Sequence, residues 1–290
     1  SQRSPSVFAQ DQMRLFQDRL QISLSGRWQG FDLSAPQFSG VFPVYASATS
    51  AAPPSALTGD ASIAYFIRTS NTKIRSHVGN AYRAPSLYER FGTSFYDGYF
   101  SAYGDPRLSP ERAISLDGGI DQYFAQDKLK ISATYFYTRL QETIGFDFSG
   151  IVNPVTDPFG RYGGYFNTHG GIARGVELSA EAKVKGGLLI RSSYTYTGAL
   201  DRVSQYGDGT LQTPRIFPHS FTFEAQRSFG RHWDSSFDFI AASHYLYPFD
   251  GLPNRFEGPR QANVSVGYTH PLAENRSLRI YTRLGNINDQ

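Results

Sequence analysis

The feature that most constrains this chain is an alternation of apolar and polar residues with a period of two. Leu20, Ile22, Leu24, Gly26 and Trp28 share one face, and Gln21, Ser23, Ser25, Arg27 and Gln29 share the other. Successive strand residues point to opposite sides, so this period predicts extended strands with one apolar and one polar face. The pattern recurs along the chain. Leu129, Ile131, Ala133, Tyr135 and Tyr137 oppose Lys130, Ser132, Thr134 and Thr138, with Phe136 the one exception. Ile114, Leu116 and Ile120 oppose Ser115, Asp117, Gly119 and Asp121. Val176, Leu178, Ala180 and Ala182 oppose Glu177, Ser179, Glu181 and Lys183, and Ala262, Val264, Val266 and Tyr268 oppose Gln261, Asn263, Ser265, Gly267 and Thr269. Such strands suit an all-β sandwich or a membrane barrel.

The connections separate the two. Twelve strands are expected, at about 5–16, 19–32, 60–70, 73–83, 112–124, 128–146, 166–184, 187–200, 217–229, 232–247, 260–271 and 277–288. Their connections alternate between short turns (17–18, 71–72, 125–127, 185–186, 230–231, 272–276) and long loops (33–59, 84–111, 147–165, 201–216, 248–259). Greek-key connections give no reason to place every long loop on one side. An antiparallel meander with short inner turns and long outer loops has that arrangement by construction. Tyr82, Tyr194, Tyr196, Tyr245 and Tyr247, where strands enter and leave, fit an interfacial aromatic girdle as well as ordinary strand propensity.

Composition narrows the classes further. Charged residues make up 18% of the 290, below the roughly 25% of soluble domains, while aromatics make up 15%. The mean hydropathy of −0.39 is that of a polar chain, yet a barrel that alternates apolar and polar residues also averages to a polar value. No stretch offers 18 consecutive apolar residues, so no membrane-spanning helix is expected. The net charge of +3 is spread without a Lys/Arg run, which gives nucleic acid no footprint. The absence of cysteine excludes disulfides and Cys-ligated metal sites.

Several segments carry a resemblance. They are SVFAQDQMRLF at 6–16, YRAPSLYERFG at 82–92, GDPRLSPER at 104–112, ARGVELSAEAKV at 173–184 leading into SSYTYT at 192–197, TPRIFPHSF at 213–221 and RLGNIND at 283–289. In this order and spacing they resemble the C-terminal barrel portion of a TonB-dependent outer-membrane receptor, a 22-stranded barrel closed by a plug. The resemblance implies that residues 1–290 are one partial barrel domain supplying strands ten to twenty-one. It places the plug, the TonB contact, about nine strands and the closing strand elsewhere in the protein. It further implies a Gram-negative outer-membrane location with lipid and lipopolysaccharide as surroundings, TonB and the plug as partners, and no cofactor. The cargo would be a metal chelate, a ferric siderophore before cobalamin. Haem receptors of the family carry a histidine between related motifs, and no histidine lies between Pro85 and Asp105.

The motifs also have roles of their own. Pro85 ends a strand, Asp105-Pro106 starts a turn, Pro110 precedes a strand, and Glu111 is placed to pair with Arg83 or Arg107. Either these motifs hold the loop or they touch ligand. A bulky, anionic or aromatic-rimmed chelate is gripped by cations and rings from loop tips. Ligand-binding candidates are Arg83, Tyr88, Arg90, Phe95, Tyr96, Tyr99, Phe100 and Tyr103 in the loop at 84–111. Arg161, Tyr162, Tyr206, Arg215, Arg255 and Phe256 are the candidates from the later loops. Taken singly, each is better suited to packing loop against loop or touching lipopolysaccharide than to gripping ligand.

No enzyme site is visible. The six histidines, His77, His169, His219, His232, His244 and His270, fall on separate strands or turns with no HExxH pair. His77 or His244 beside a serine is the weak hydrolase option, and Asp208 in YGDGT reads as a turn rather than a calcium loop. The rival readings are a passive porin-like barrel and a secreted carbohydrate-binding all-β protein.

Overall fold

The computed structural model describes residues 1–34, 44, 45, 48, 51–96, 99–147, 152–249, 251–273 and 276–288. The first third holds β1 (Gln2–Arg3), β2 (Ser6–Leu15), β3 (Leu20–Gln29), β4 (Asp32–Leu33), β5 (Ala56–Ile67) and β6 (Thr72–Arg83). A short helix α1 (Leu87–Phe91) follows, then β7 (Thr93–Tyr96), β8 (Tyr99–Ala102), β9 (Glu111–Phe124) and β10 (Leu129–Asp147). Next come β11 (Gly164–Thr168), β12 (Gly171–Val184), β13 (Leu188–Asp201), β14 (His219–Phe229) and β15 (Trp233–Ala242). The last elements are β16 (Tyr245–Phe249), β17 (Leu252–Phe256), β18 (Arg260–Ala273) and β19 (Arg276–Leu284).

Twelve of these form one continuous antiparallel path, β2-β3-β5-β6-β9-β10-β12-β13-β14-β15-β18-β19, each strand bonded to the next in sequence order. This is the expected meander. Cross-strand pairs keep like with like: Leu24 faces Ala61, Ile74 faces Ile120, Ala133 faces Leu178, and Tyr194 faces Phe221. A one-residue slip would exchange the two faces, so the alternation fixes the register.

The apolar face is uncovered. Leu116 is 50% exposed and Leu178 45%, and no second layer lies on them among the described residues. A sandwich buries that face against another sheet; here it is left for a solvent as apolar as itself. The opposite face carries Arg75, His77, Asp117, Asp121, Lys130, Glu181, Arg191 and Glu224 and is the lumen side of the wall.

The inner turns are tight and left-handed. Phe16-Gln17-Asp18 and Ala125-Gln126-Asp127 adopt nearly identical positive φ values, 53°, 58°, 64° and 52°, 57°, 64°. Outside glycine that region costs roughly 1–2 kcal/mol per residue, and aspartate at the last position is among the residues that visit it most readily.

Three expectations need correction. The strand expected at 166–184 is interrupted at His169-Gly170, where Gly170 has φ +66° and an added Cβ would lie 2.2 Å from the Leu140 carbonyl. The strand expected at 232–247 ends at Ala242. Tyr245 and Tyr247 belong to β16, which pairs with β17 as a separate hairpin, so they are not part of a barrel girdle. The loop expected at 33–59 is shorter, because β5 begins at Ala56. Phe136, the exception in the alternation, also finds its reason. It is paired with Gly175 across β10 and β12, and its ring lies where a Cβ on that glycine would be.

A barrel wall has no core of its own, and most fully buried side chains lie in the outer loops. Tyr45, Pro85, Leu108, Val152 and Tyr206 are buried there. The outer end is therefore a small packed domain built on strand ends.

Candidate functional site

The outward loops meet in two assemblies. In the first, Arg83 at the end of β6 donates two 2.9 Å hydrogen bonds to Glu89 and one of 2.5 Å to Glu111. Glu89 also closes the N-terminus of α1. Its carboxylate accepts from the Ser86 amide while the Ser86 hydroxyl accepts from the Glu89 amide, a complete capping box. Burial alone would raise the Glu89 carboxyl, but Arg83 and the Ser86 groups outweigh it and hold it below the usual range. Of the two partners left open for Glu111, the structure selects Arg83.

Behind the helix lies a buried charge knot. Asp105 accepts from the Arg107 backbone and guanidinium, at 2.9 and 2.7–2.9 Å, and from Arg161 at 2.9 Å. Asp157 accepts from Arg161 at 2.9–3.2 Å and lies 3.6 Å from Arg107. Arg161 donates a further 2.7 Å bond to the Tyr165 carbonyl and is 3% exposed. Burial disfavours both carboxylates, yet the arginines prevail and both are held below the usual carboxylate range. Asp105-Pro106 and Asp157-Pro158 make the same turn, each carboxylate capping the amide two residues on.

Tyr45 ties a third loop into this knot. Its hydroxyl donates to the Gly92 and Gly104 carbonyls at 3.0 and 2.9 Å, and its ring packs edge-on against Phe91 and Phe159. Burial pushes its hydroxyl up to about 12. Gly104 is required here, since a Cβ would lie 2.5–2.6 Å from the backbone of residues 90–92.

The second assembly joins loop 202–218 to the β16–β17 hairpin. Arg215, at φ +63°, donates to the Tyr247 hydroxyl at 2.7 Å and stacks 4.5 Å from its ring. Tyr245 and Phe256 stack at 5.7 Å. The Asp208-Gly209 turn is confirmed as a turn, with Gly209 at φ +82°.

The sequence candidates thus divide by burial. Arg90 is 3% exposed, donates to the Pro106 carbonyl and stacks on Phe91, while its Nη1 has no hydrogen-bond partner among the described residues. Arg161 is inside the knot, and Tyr103 packs on Phe146. Tyr206 is buried with its hydroxyl unbonded among the described residues. Tyr88, Tyr162, Arg255 and Phe256 are exposed on the outer loops. Phe95, Tyr96, Tyr99 and Phe100 form the β7–β8 hairpin, where the backbone alone is described. Tyr45 and Asp157 were not singled out by sequence; the repeated Asp-Pro dipeptide was the available signal for the second.

On the lumen wall, Arg75 lies 3.5 Å from Asp121 and 4.0 Å from Asp117 and donates to Thr134 at 2.6 Å. Lys130 reaches Asp121 at 3.7 Å, and His77 contacts Asp117 at 3.2 Å. Among the described residues no serine hydroxyl bonds to the ring of His77 or His244, the Ser243 hydroxyl donating instead to the His244 carbonyl, and no group of three or more His, Cys, Asp or Glu is placed to hold a metal.

A family model described as the β-barrel of TonB dependent receptor-like proteins matches residues 1–287. Among solved structures, the copper transporter OprC superposes with a TM-score of 0.71 at 17% identity, covering 99% of this chain and 42% of that one. A mutant of the ferric enterobactin receptor PfeA from Pseudomonas aeruginosa gives 0.69 at 15%, covering 100% and 40%. The ferric-catecholate import receptor Fiu from K12 E. coli gives 0.67 at 14%, covering 100% and 41%. At these identities the likeness is one of fold, and the chain spans about two fifths of the structures it matches. No curated protein sequence matches.

Proposed function

Because this chain belongs to the TonB-dependent receptor-like β-barrel family, whose members are outer-membrane transporters of Gram-negative bacteria and not enzymes, we propose that the intact protein takes up a ferric siderophore. In this reading the chain supplies twelve strands of a 22-stranded barrel. The remaining strands, the plug and the TonB contact lie in the rest of the protein. The charged lumen wall around Arg75, Asp117, Asp121 and Lys130 faces the plug.

The observation that carries the cargo assignment is the division of the loop residues. Arg161, Arg90 and Tyr45 lock the outer loops into a rigid frame, and Tyr88, Tyr162, Arg255, Phe256 and the Arg215–Tyr247 pair are presented on it. Exposed rings and guanidinium groups suit an anionic, aromatic-rimmed chelate by stacking and charge pairing. Four of the proteins with similar structures bear names of siderophore or ferric-chelate receptors.

Copper is the second reading, favoured by the likeness to OprC. Against it, soft thiol and thioether ligands suit copper, and this stretch has no cysteine and one methionine. The test is uptake by an iron-starved strain that depends on the intact receptor, supplied with a ferric catecholate, a ferric hydroxamate or copper. TonB-dependent accumulation of either iron chelate supports the reading; accumulation of copper alone refutes it.

A further inference from the structure

Between β5 and β6 the wall is joined over only part of its height. Their ladder runs from Ile67–Thr72 to Asp60–Gly79 and stops there. Outward of that pair, β5 stays paired with β3 as far as Gln29–Ala56, and β6 with β9 as far as Arg83–Glu111. Two panels therefore stand side by side above Asp60–Gly79, β2-β3-β5 in one and β6-β9 with the strands after it in the other. Among the described residues, every hydrogen bond joining residues 1–59 to residues 80–288 uses a side chain. Asn80 accepts from the Gly59 amide at 2.8 Å and donates to the Leu57 carbonyl at 3.1 Å. Tyr82 donates to the Pro54 carbonyl at 2.7 Å, and Tyr45 donates to the Gly92 and Gly104 carbonyls.

The parting has a cause in the sequence. Gly59 lies close against β3: a Cβ on it would stand 2.7 Å from the Ser25 carbonyl, and the Ser25 hydroxyl donates to the neighbouring Asp60 carboxylate. On the other side the Asn80 amide replaces the ladder, since it offers one acceptor and a donor as a peptide group does. Asn80 lies eight residues beyond Thr72. At ~2.6 Å of climb per residue for a strand tilted ~40°, that is ~21 Å above the inner turn, inside an apolar band ~25 Å tall. Backbone groups at that depth need partners, which accounts for an amide among Leu57, Val78 and Ile114, all exposed on the apolar face. On the polar face, a cavity of about 600 Å³ lined by Arg27, Thr58, Asp60, His77 and Ser115 opens beside the parting.

We propose that the outer wall is hinged at Asp60–Gly79. The two panels swing as units, with Asn80 as the latch between them, and change the width of the barrel mouth without breaking a ladder bond. A side-chain latch is remade by rotating one side chain, whereas parting a ladder strips successive backbone pairs in an apolar medium. Tyr45 fastens the same two panels at the level of the loops. The hinge depends on the placement of the barrel in the membrane and not on which chelate is carried.

The test needs no cargo. This stretch has no cysteine of its own, so cysteine pairs are introduced into the intact receptor in detergent, cleared of any other cysteine, and bridged with a short or a long bis-methanethiosulfonate. In the ladder pair S62C/H77C the two Cβ atoms are fixed ~5 Å apart, and only the short reagent should bridge them. In T58C/A81C, on the same face across the seam, both reagents should bridge, and Asn80→Ala should raise the yield of the long one. The same length profile at both pairs overturns the proposal, as does an Asn80→Ala background that leaves the seam profile unchanged. Hydrogen exchange in the receptor without cysteine pairs is the second measurement. Asn80→Ala should speed exchange at the Gly59 amide about fivefold, the worth of one lost bond, and leave the amides of Ser62–Ile67 as they were. Unchanged exchange at Gly59, or equal acceleration along Ser62–Ile67, overturns the hinge.

Discussion

Arg161→Met probes the frame of the outer loops. Methionine keeps much of the buried stem and removes the charge, leaving Asp105 and Asp157 inside the knot with one arginine instead of two. Removing one partner of a buried ion pair costs about 3–5 kcal/mol, because the other charge stays behind. Arg107 still reaches Asp105 at 2.7 Å and Asp157 at 3.6 Å, which argues for the lower end. About 3 kcal/mol is a roughly 150-fold rise in the local opening equilibrium. The barrel ladder is untouched, so the change belongs in the loops. Hydrogen exchange should accelerate at the Tyr165 amide, bonded to the Tyr103 carbonyl, and at the Asp105 amide, bonded to the Glu89 carbonyl. Arg83→Met is the comparison. That side chain is 47% exposed, and solvent-screened pairs are worth ~1 kcal/mol or less, about fivefold. Equal acceleration in the two variants, or less than fivefold for Arg161→Met, refutes the knot. The pH dependence has a fixed sign. Both knot carboxyls are held below their ordinary value, so their contribution is present above about pH 4 and is lost as pH falls below it. Wild-type protection should be flat from pH 8 to about 5 and fall only in stronger acid.

Other positions give independent checks. Gly175→Ala places a Cβ 1.8 Å from the Tyr196 carbonyl, so it should impair barrel formation in a heat-modifiability gel, while Gly118→Ala, with its nearest atom at 3.9 Å, should not. Tyr45→Phe removes the hydroxyl that donates to the Gly104 carbonyl and one of three donors to the Gly92 carbonyl, costing about 1–3 kcal/mol, and should open the same loops to protease. With the Tyr45 hydroxyl raised to about 12, its contribution holds below about pH 10 and fades as pH rises toward 12. Arg255→Ala and Tyr162→Ala should each weaken chelate binding by about tenfold, typical of a cation–ring contact, and leave loop exchange unchanged.

The wall was legible in the sequence because period-two alternation is a local property that the sheet preserves residue by residue. Even its exception was informative: Phe136 breaks the pattern where Gly175 needs a ring beside it. The girdle was misread at Tyr245 and Tyr247, because a loop hairpin and a barrel strand carry the same aromatic signature and the break after Ala242 has no glycine or proline to announce it. Legibility fell further in the loops. Arg90 and Tyr88 sit two residues apart in one motif, yet the first is buried and the second exposed, and nothing local distinguishes them. That difference depends on what the Pro106 carbonyl and Phe91 ring do in three dimensions, and so on closure between loops far apart in sequence.

Some arginines of this chain have a carboxylate waiting for them and others do not. Arg83, Arg107 and Arg161 have their anions within the loops, and Arg75, Arg191 and Arg279 have theirs on the lumen wall. Such pairs hold shape and offer little net charge to anything outside. Arg255 is exposed on the outer loops and forms no ion pair among the described residues, so its charge stays open to an anion from the external medium. Added chelate should therefore protect the intact receptor from heat, and Arg255→Ala should weaken that protection, whereas Arg191→Gln, whose partners Glu181 and Glu224 lie on the lumen wall, should leave it in place. Equal loss in the two variants would mean that charge pairing does not separate the outer surface from the wall.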